Sequence, residues 1–261
     1  DASRVPKQAV LHVEDIAGDA SRDIIMRVKP DIVFHMAAQV DVNRSLQNPK
    51  QDADINIGGT VGMLVACRDA GVRKFVFSST CAVYGDQQKE RIAEETPPAP
   101  VSYYGLSKYS AEQYVRLFYQ LYGLSYTILR YSNVFGPRQS AEGEGGVVSI
   151  FMDRMLSGRP LRVYGDGEQT RDFIFVEDVV RANLAAIHKG DQHTLNISTG
   201  LRTSINNLIL MLQVINGSAL DVAYLPPRDG DIRHSCLDPA QAGSVLGWKA
   251  RENLFEGLLR T

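Results

Sequence analysis

At 261 residues, with 44% hydrophobic and 22% charged side chains, the chain has the size and composition of a globular protein of one large domain or two small ones. A net charge of -2 gives no global basic footprint for nucleic acid, and no apolar run approaches the roughly 18 residues of a membrane span. Three widely spaced cysteines (Cys67, Cys81, Cys236) and five scattered histidines suggest neither a disulfide framework nor a metal site, and no signal peptide is read at Asp1 to Lys7, so a cytoplasmic protein without a metal is expected.

Apolar runs alternate with helical patterns along the chain, as in a parallel α/β sheet. Ala9 to Val13 reads as a strand, Ala20 to Val28 as a helix, and Asp31 to Met36 as the next strand. A long helix follows, roughly Gly58 to Ala70 and starting as early as Asn56, with Gly71 placed to cap it. Lys74 to Ser79 is a strand, Tyr103 to Leu121 a helix stopped by Gly123, and Ser125 to Tyr131 a strand. From Gly136 the texture changes. Gly143, Gly145 and Gly146 make a loop, Val147 to Ser157 a helix, and Leu161 to Tyr164 and Asp172 to Phe175 short strands around a polar turn. Glu177 to Lys189 is a helix, and Thr194 to Ile197 a strand able to return to the main sheet. Ser204 to Ile215, Asp221 to Tyr224, Pro239 to Leu246 and Asn253 to Leu259 complete a smaller C-terminal region.

The helix from Tyr103 carries Tyr104 and Lys108 at i and i+4, so phenol and ammonium share a face one turn apart. A free phenol, with a pKa of about 10, is a poor base at neutral pH. A nearby ammonium favours the phenolate, and the pair then acts as a general base, with a hydroxyl such as that of Thr80 completing a proton relay. Taken alone, a Tyr and a Lys four apart are common on amphipathic helices; the surrounding motifs decide. In order they are Asp15-Ile16, His35-Met36-Ala37-Ala38-Gln39, Asn56-Ile57-Gly58-Gly59-Thr60, Ser78-Ser79-Thr80-Cys81-Ala82-Val83-Tyr84-Gly85, Tyr104/Lys108, Arg130 to Arg138, Gln169-Thr170-Arg171-Asp172 and Arg228-Asp229-Gly230-Asp231.

In this order the motifs resemble the extended short-chain dehydrogenase/reductase family, and within it the nucleotide-sugar epimerases of the UDP-glucose 4-epimerase type. The resemblance covers essentially the whole chain. It implies a Rossmann-like α/β domain formed by residues 1–135 with about 176–198, and a substrate domain formed by 136–175 and 199–261. It implies NAD as cofactor, a UDP-sugar substrate, a homodimer, and inversion at C4 through transient oxidation to the 4-keto sugar. By this resemblance Tyr104, Lys108 and Thr80 are catalytic. Asp15, Ile16, Ala37, Ala38, Gln39, Asn56, Ser78, Tyr104, Lys108 and Ser132 hold the cofactor. Thr80, Asn133, Val147, Val148, Val163, Tyr164, Arg171, Arg228 and Ser235 line the substrate site.

Plainer readings stand beside several of these. Asp15 or Asp19 suits a helix N-terminus, Asn133 a turn before Gly136-Pro137, His35 a core position, the valines an apolar core, and any lone Arg the surface. Sugar 4,6-dehydratases place an Asp-Glu pair where this chain has Cys81-Ala82, so dehydration is disfavoured, and the decarboxylases are disfavoured by motif mismatch. Another nucleotide-sugar epimerase or reductase, or a catalytically idle nucleotide-sugar binding module, remains open. Ser235, seven residues after Arg228, falls at the family's gatekeeper position, with His234 or Cys236 the alternatives if the loop shifts register. The family's Gly-x-x-Gly-x-x-Gly turn, which lets backbone approach the pyrophosphate, is not in the sequence, so a fragment lacking the first βαβ segment is expected.

Overall fold

The computed structural model describes residues 2–87, 89–141, 146–227 and 232–261. Its strands are β1 (Ile32–His35), β2 (Lys74–Thr80), β3 (Ser125–Tyr131), β4 (Asn133–Phe135), β5 (Leu161–Tyr164), β6 (Thr170–Arg171), β7 (Phe173–Phe175), β8 (His193–Ile197), β9 (Thr203–Ser204) and β10 (Val222–Leu225). Its α-helices are α1 (Asp19–Val28), α2 (Val42–Gln47), α3 (Pro49–Ala53), α4 (Thr60–Ala70), α5 (Tyr103–Tyr122), α6 (Val147–Leu156), α7 (Val176–Ala186), α8 (Ile205–Asn216), α9 (Ala240–Leu246) and α10 (Leu254–Leu259).

Each apolar run of the first half is followed by a helix, so successive strands return in the same direction. The result is a parallel sheet in the order β1-β2-β3-β8, as the alternating pattern predicts. Strand residues alternate between its faces. Phe75 and Phe77 pack with Leu64, Val115 and Ile128 on the α4/α5 side, and Val76 packs with Leu129, Val179 and Leu195 on the α7/α9 side. Each such side chain, fully buried, contributes about 1.5–3 kcal/mol. A further core joins Phe135, Phe151, Leu161, Phe173 and Leu208 around α6, α8 and β5. Asp172, between β6 and β7, is buried and accepts from Thr199 N, Thr199 Oγ1 and Gly200 N at 3.0, 2.7 and 3.0 Å. That carboxylate pins the loop after β8 to the second half of the chain.

One expected strand does not form. Ala9 to Val13, read as a strand, is not part of a sheet, and Val10 and Val13 are about four-fifths exposed. The run has strand-forming side chains but no neighbouring ladder to satisfy its backbone. The helix expected over roughly Gly58 to Ala70 opens in a π-helical turn over Asp54–Gly59 and continues as α4; two short helices that were not expected precede it, α2 and α3, the latter with Asn48 as cap and Pro49 at its first position. Gly71 and Gly123 end α4 and α5 with φ of 72° and 74°, the left-handed geometry expected of them.

Candidate active site

Helix α5 begins where Ser102 Oγ accepts from Gly105 N at 3.1 Å, a cap that leaves Tyr104 in the first turn and Lys108 one turn on. Gly105 lies against the 3-10 turn Cys81–Tyr84; a Cβ there would sit 2.6 Å from the Ala82 carbonyl oxygen. The missing side chain therefore sets how closely α5 approaches the end of β2. At that end Thr80 Oγ1 accepts from Ala82 N at 3.1 Å, which leaves the hydroxyl its own proton and a second lone pair. Tyr104 and Thr80 line the same cavity, and Lys108 is buried behind it, its ammonium 4.3 Å from the Phe77 ring centroid. Burial pushes the Lys108 pKa down to about 8, against the opposing pull of Glu112 and Asp52.

Glu112 is a contributor not singled out in the sequence. It is wholly buried, takes Arg130 Nε and Nη2 at 2.9 and 2.6 Å, Arg116 Nη2 at 3.0 Å, and the Ser79 hydroxyl at 2.6 Å. It thereby ties α5 to β2 next to Thr80 and to β3. Its signal was the spacing 104, 108, 112 along one helical face. His35 is the core residue it was read as. It stacks near Phe75 and Phe77, bonds Thr60 Oγ1 at 3.0 Å, and is pushed down to about 3 by burial and by Lys108, so the ring stays neutral.

The cavity holds about 760 Å³ at the carboxyl edge of the parallel sheet, where α/β folds bind ligands. Of the expected substrate residues, Thr80, Asn133, Val147, Val148, Val163, Tyr164 and Arg171 line it, together with the expected cofactor residue Ser132. Val148 and Val163 serve the core at the same time. Arg154 and Arg162, unremarked in the sequence, add two guanidinium groups to that of Arg171. Asn133 Oδ1 and the Gln169 Oε1 of the same lining are buried acceptors without a partner. Arg228, with the rest of its motif, and the loop glycines Gly143 and Gly145 lie outside the described residues. Ser235 is buried, donates its N–H to Thr170 O at 3.2 Å, and is not among the residues that line the cavity, although its neighbour Cys81 is. Its neighbour His234 bonds Thr170 Oγ1 instead, and Cys236 lies against Asp172.

A second, open pocket of about 500 Å³ gathers Asp15, Ile16, Ala37, Ala38 and Gln39, all five expected at the cofactor. Asp15 sits in the turn before α1, accepting from Ala17 N at 2.9 Å; Asp19 occupies the first turn of the helix, so the dipole reading belongs to Asp19. Asn56, in the π-turn, lines neither pocket but fixes this one: its Oδ1 accepts from Gln39 N at 2.8 Å and its Nδ2 donates to Gln39 O at 2.9 Å. Ser78 lines neither and bonds the Tyr131 hydroxyl at 3.1 Å. A carboxylate, an isoleucine side chain and two alanines at a strand end suit the amine, ring and close approach of a nucleotide. Among the described residues no group of His, Cys, Asp and Glu is arranged to hold a metal, and no helix is long and apolar enough to cross a membrane.

A parallel sheet with a hydroxyl at a strand end, a Tyr/Lys pair on the adjoining helix and a nucleotide-sized pocket beside them defines a Rossmann-type enzyme of the short-chain dehydrogenase/reductase class. Residues 3–198 match the model of the NAD dependent epimerase/dehydratase family, and the chain belongs to that family. The UDP-glucose 4-epimerase of Mycolicibacterium smegmatis is 39% identical over 249 residues, which are 95% of this chain and 80% of that one. The crystal structure of UDP-glucose 4-epimerase from Thermotoga maritima with UDP-glucose superposes with a TM-score of 0.97 at 43% identity, covering 100% of this chain and 85% of that one. The Thermus thermophilus UDP-glucose 4-epimerase in complex with NAD gives 0.94 at 36% identity, covering 100% and 86%.

Proposed function

We propose that this chain is an NAD-dependent isomerase that inverts C4 of a UDP-hexose. The observation that carries the reading is the meeting of Tyr104 and Thr80 with Asn133 and Arg171 in one cavity. Tyr104, as phenolate, takes the proton of the C4 hydroxyl directly or through Thr80, and Lys108 holds the charge of that phenolate. Asp15, Ile16, Ala37, Ala38 and Gln39 hold the adenine end of NAD, with Ser132 and Lys108 toward its reactive end. When bound, NAD supplies the hydride acceptor and donor at C4. Arg171, with Arg154 and Arg162, grips the diphosphate through forked donors, and Asn133 supports it. An anchored nucleotide leaves the sugar free to turn over between the two proton transfers. We assign residues 1–135 and about 176–198 to the cofactor, and 136–175 with 199–261 to the sugar nucleotide.

The test uses UDP-galactose carrying tritium at C4, incubated with the protein and NAD. The expected result is conversion to UDP-glucose with the label kept in the sugar. Absence of interconversion, or loss of the label to water, overturns the reading. An idle binding module predicts sugar-nucleotide binding without turnover.

We also assign a homodimer. Leu106, Tyr114, Leu117 and Leu121 are exposed at helical spacing on α5, an apolar stripe of the kind two copies bury together. Sedimentation should give a dimer that Leu117→Glu converts to a monomer; a monomeric wild type at micromolar concentration removes the assignment.

A further inference from the structure

Two buried carboxylates bear on Lys108, and they differ in how they are compensated. Glu112 is held by Arg130 and Arg116, so cations stand against its charge. Asp52, on α3, is 1% exposed and has no ion-pair partner among the described residues. Its Oδ1 accepts from Gln39 Nε2 at 2.8 Å and Asn56 Nδ2 at 3.1 Å. Its Oδ2 is buried and makes no hydrogen bond. Helix α3 packs on α5, and Asn56 Nδ2 also reaches Ser107 Oγ at 3.1 Å, one residue before Lys108. A buried carboxylate with an oxygen left over is costly, and folds keep such groups where the charge acts on something.

We propose that Asp52 is a positioning residue for the Tyr104/Lys108 pair, its uncompensated charge keeping Lys108 an ammonium and thereby Tyr104 a phenolate. The proposal rests on the reading of Tyr104 as the base. Glu112, on α5, pulls the Lys108 pKa up more than Asp52 does, but its carboxylate is also held by Arg116 and Arg130, so Asp52 adds the charge that no cation offsets. The other groups facing Lys108 are Tyr104 on α5, His35 from β1, which is neutral, and the uncharged Phe77 ring from β2. Without the Asp52 charge, Lys108, already lowered by burial, loses its proton at still lower pH. The phenolate then loses its cation, and Tyr104 ionises at higher pH. The window in which base and ammonium coexist narrows from both sides.

The experiment is a titration of the full chain labelled with [13Cζ]tyrosine, the Tyr104 signal being the one lost in Tyr104→Phe. In Asp52→Asn its midpoint should move up by about one pH unit. The pH profile of kcat should narrow, while KM for the UDP-sugar stays within about twofold. Asp54→Asn removes the same charge from an exposed position in the adjoining turn and should leave the midpoint in place. Should Asp52→Asn fail to fold, Asp52→Ser keeps a hydroxyl acceptor for Gln39 and is read in the same way. A lowered unfolding temperature with an unmoved Tyr104 midpoint overturns the proposal and leaves Asp52 a packing residue. Failure of the base assignment looks different: Tyr104→Phe then keeps its turnover, whatever the midpoint does in Asp52→Asn.

Discussion

In the proposed mechanism Tyr104 and Lys108 divide one task between a base and a charge. There the phenol oxygen is the proton acceptor, and the buried Lys108 ammonium favours its ionised form. Tyr104→Phe removes the acceptor and almost no volume, so kcat should fall roughly 10²–10⁴-fold with KM little changed. The same pair sets a pH dependence. The ammonium is present below the Lys108 pKa of about 8 and is lost as pH rises through it, so kcat should decline on the alkaline side from near pH 8. Near-normal turnover in the Phe variant, or a rate flat well above pH 8, would remove this division of roles.

The elements matter through the angle at which they present these side chains. Helix α5 docks on the turn after Thr80 only because Gly105 lacks a Cβ, which would meet the Ala82 backbone oxygen at 2.6 Å. Gly105→Ala should push the helix away, lowering stability by about 1–3 kcal/mol and kcat by roughly tenfold or more, since Tyr104 moves relative to Thr80. Gly58→Ala, in the π-turn with open space around its Cβ, should instead hold or raise stability. Paired melting curves and kcat values decide; equal effects at both positions would refute the docking argument. The elements legible in the sequence were those with an amphipathic period and a glycine stop, such as α5, or with a β-branched and aromatic run, such as β2. Those that escaped depend on tertiary partners: the π-turn that aims Asn56 at Gln39, the three-residue β4 that exists by pairing with β7, and Ala9 to Val13, which has the composition of a strand without a ladder.

At the scale of the whole molecule, the cavity lies where the sheet's strand ends meet the later segments of the chain. Motifs marked in advance residues that line it, because Tyr104, Thr80, Asn133 and Arg171 each stand at an element end that borders the crevice. The electrostatic support was only partly legible: Glu112 continues the 104, 108 spacing, whereas Arg130 reaches Glu112, and Asp52 reaches Gln39 and Asn56, only through folding. Cys81, after β2, lines the cavity, and Ser235, close to β6, is buried nearby but is not among the lining residues. Both are small. If Ser235 is the gatekeeper expected from the sequence, an aromatic ring there would crowd the C2 substituent of a bound sugar, whereas a serine leaves room for an acetamido group. The protein should therefore act on UDP-N-acetylhexosamines as well as UDP-hexoses, and Ser235→Tyr should abolish the first activity and spare the second. Pocket tolerance for one extra group is worth only about 1–3 kcal/mol, so wild type should handle the two substrate pairs with kcat/KM within roughly 200-fold of each other. Parallel assays on wild type and Ser235→Tyr, with folding checked by thermal melting, settle the assignment. A wild type inert toward UDP-N-acetylglucosamine, or a folded variant that still accepts it, would mean that Ser235 does not bound the sugar.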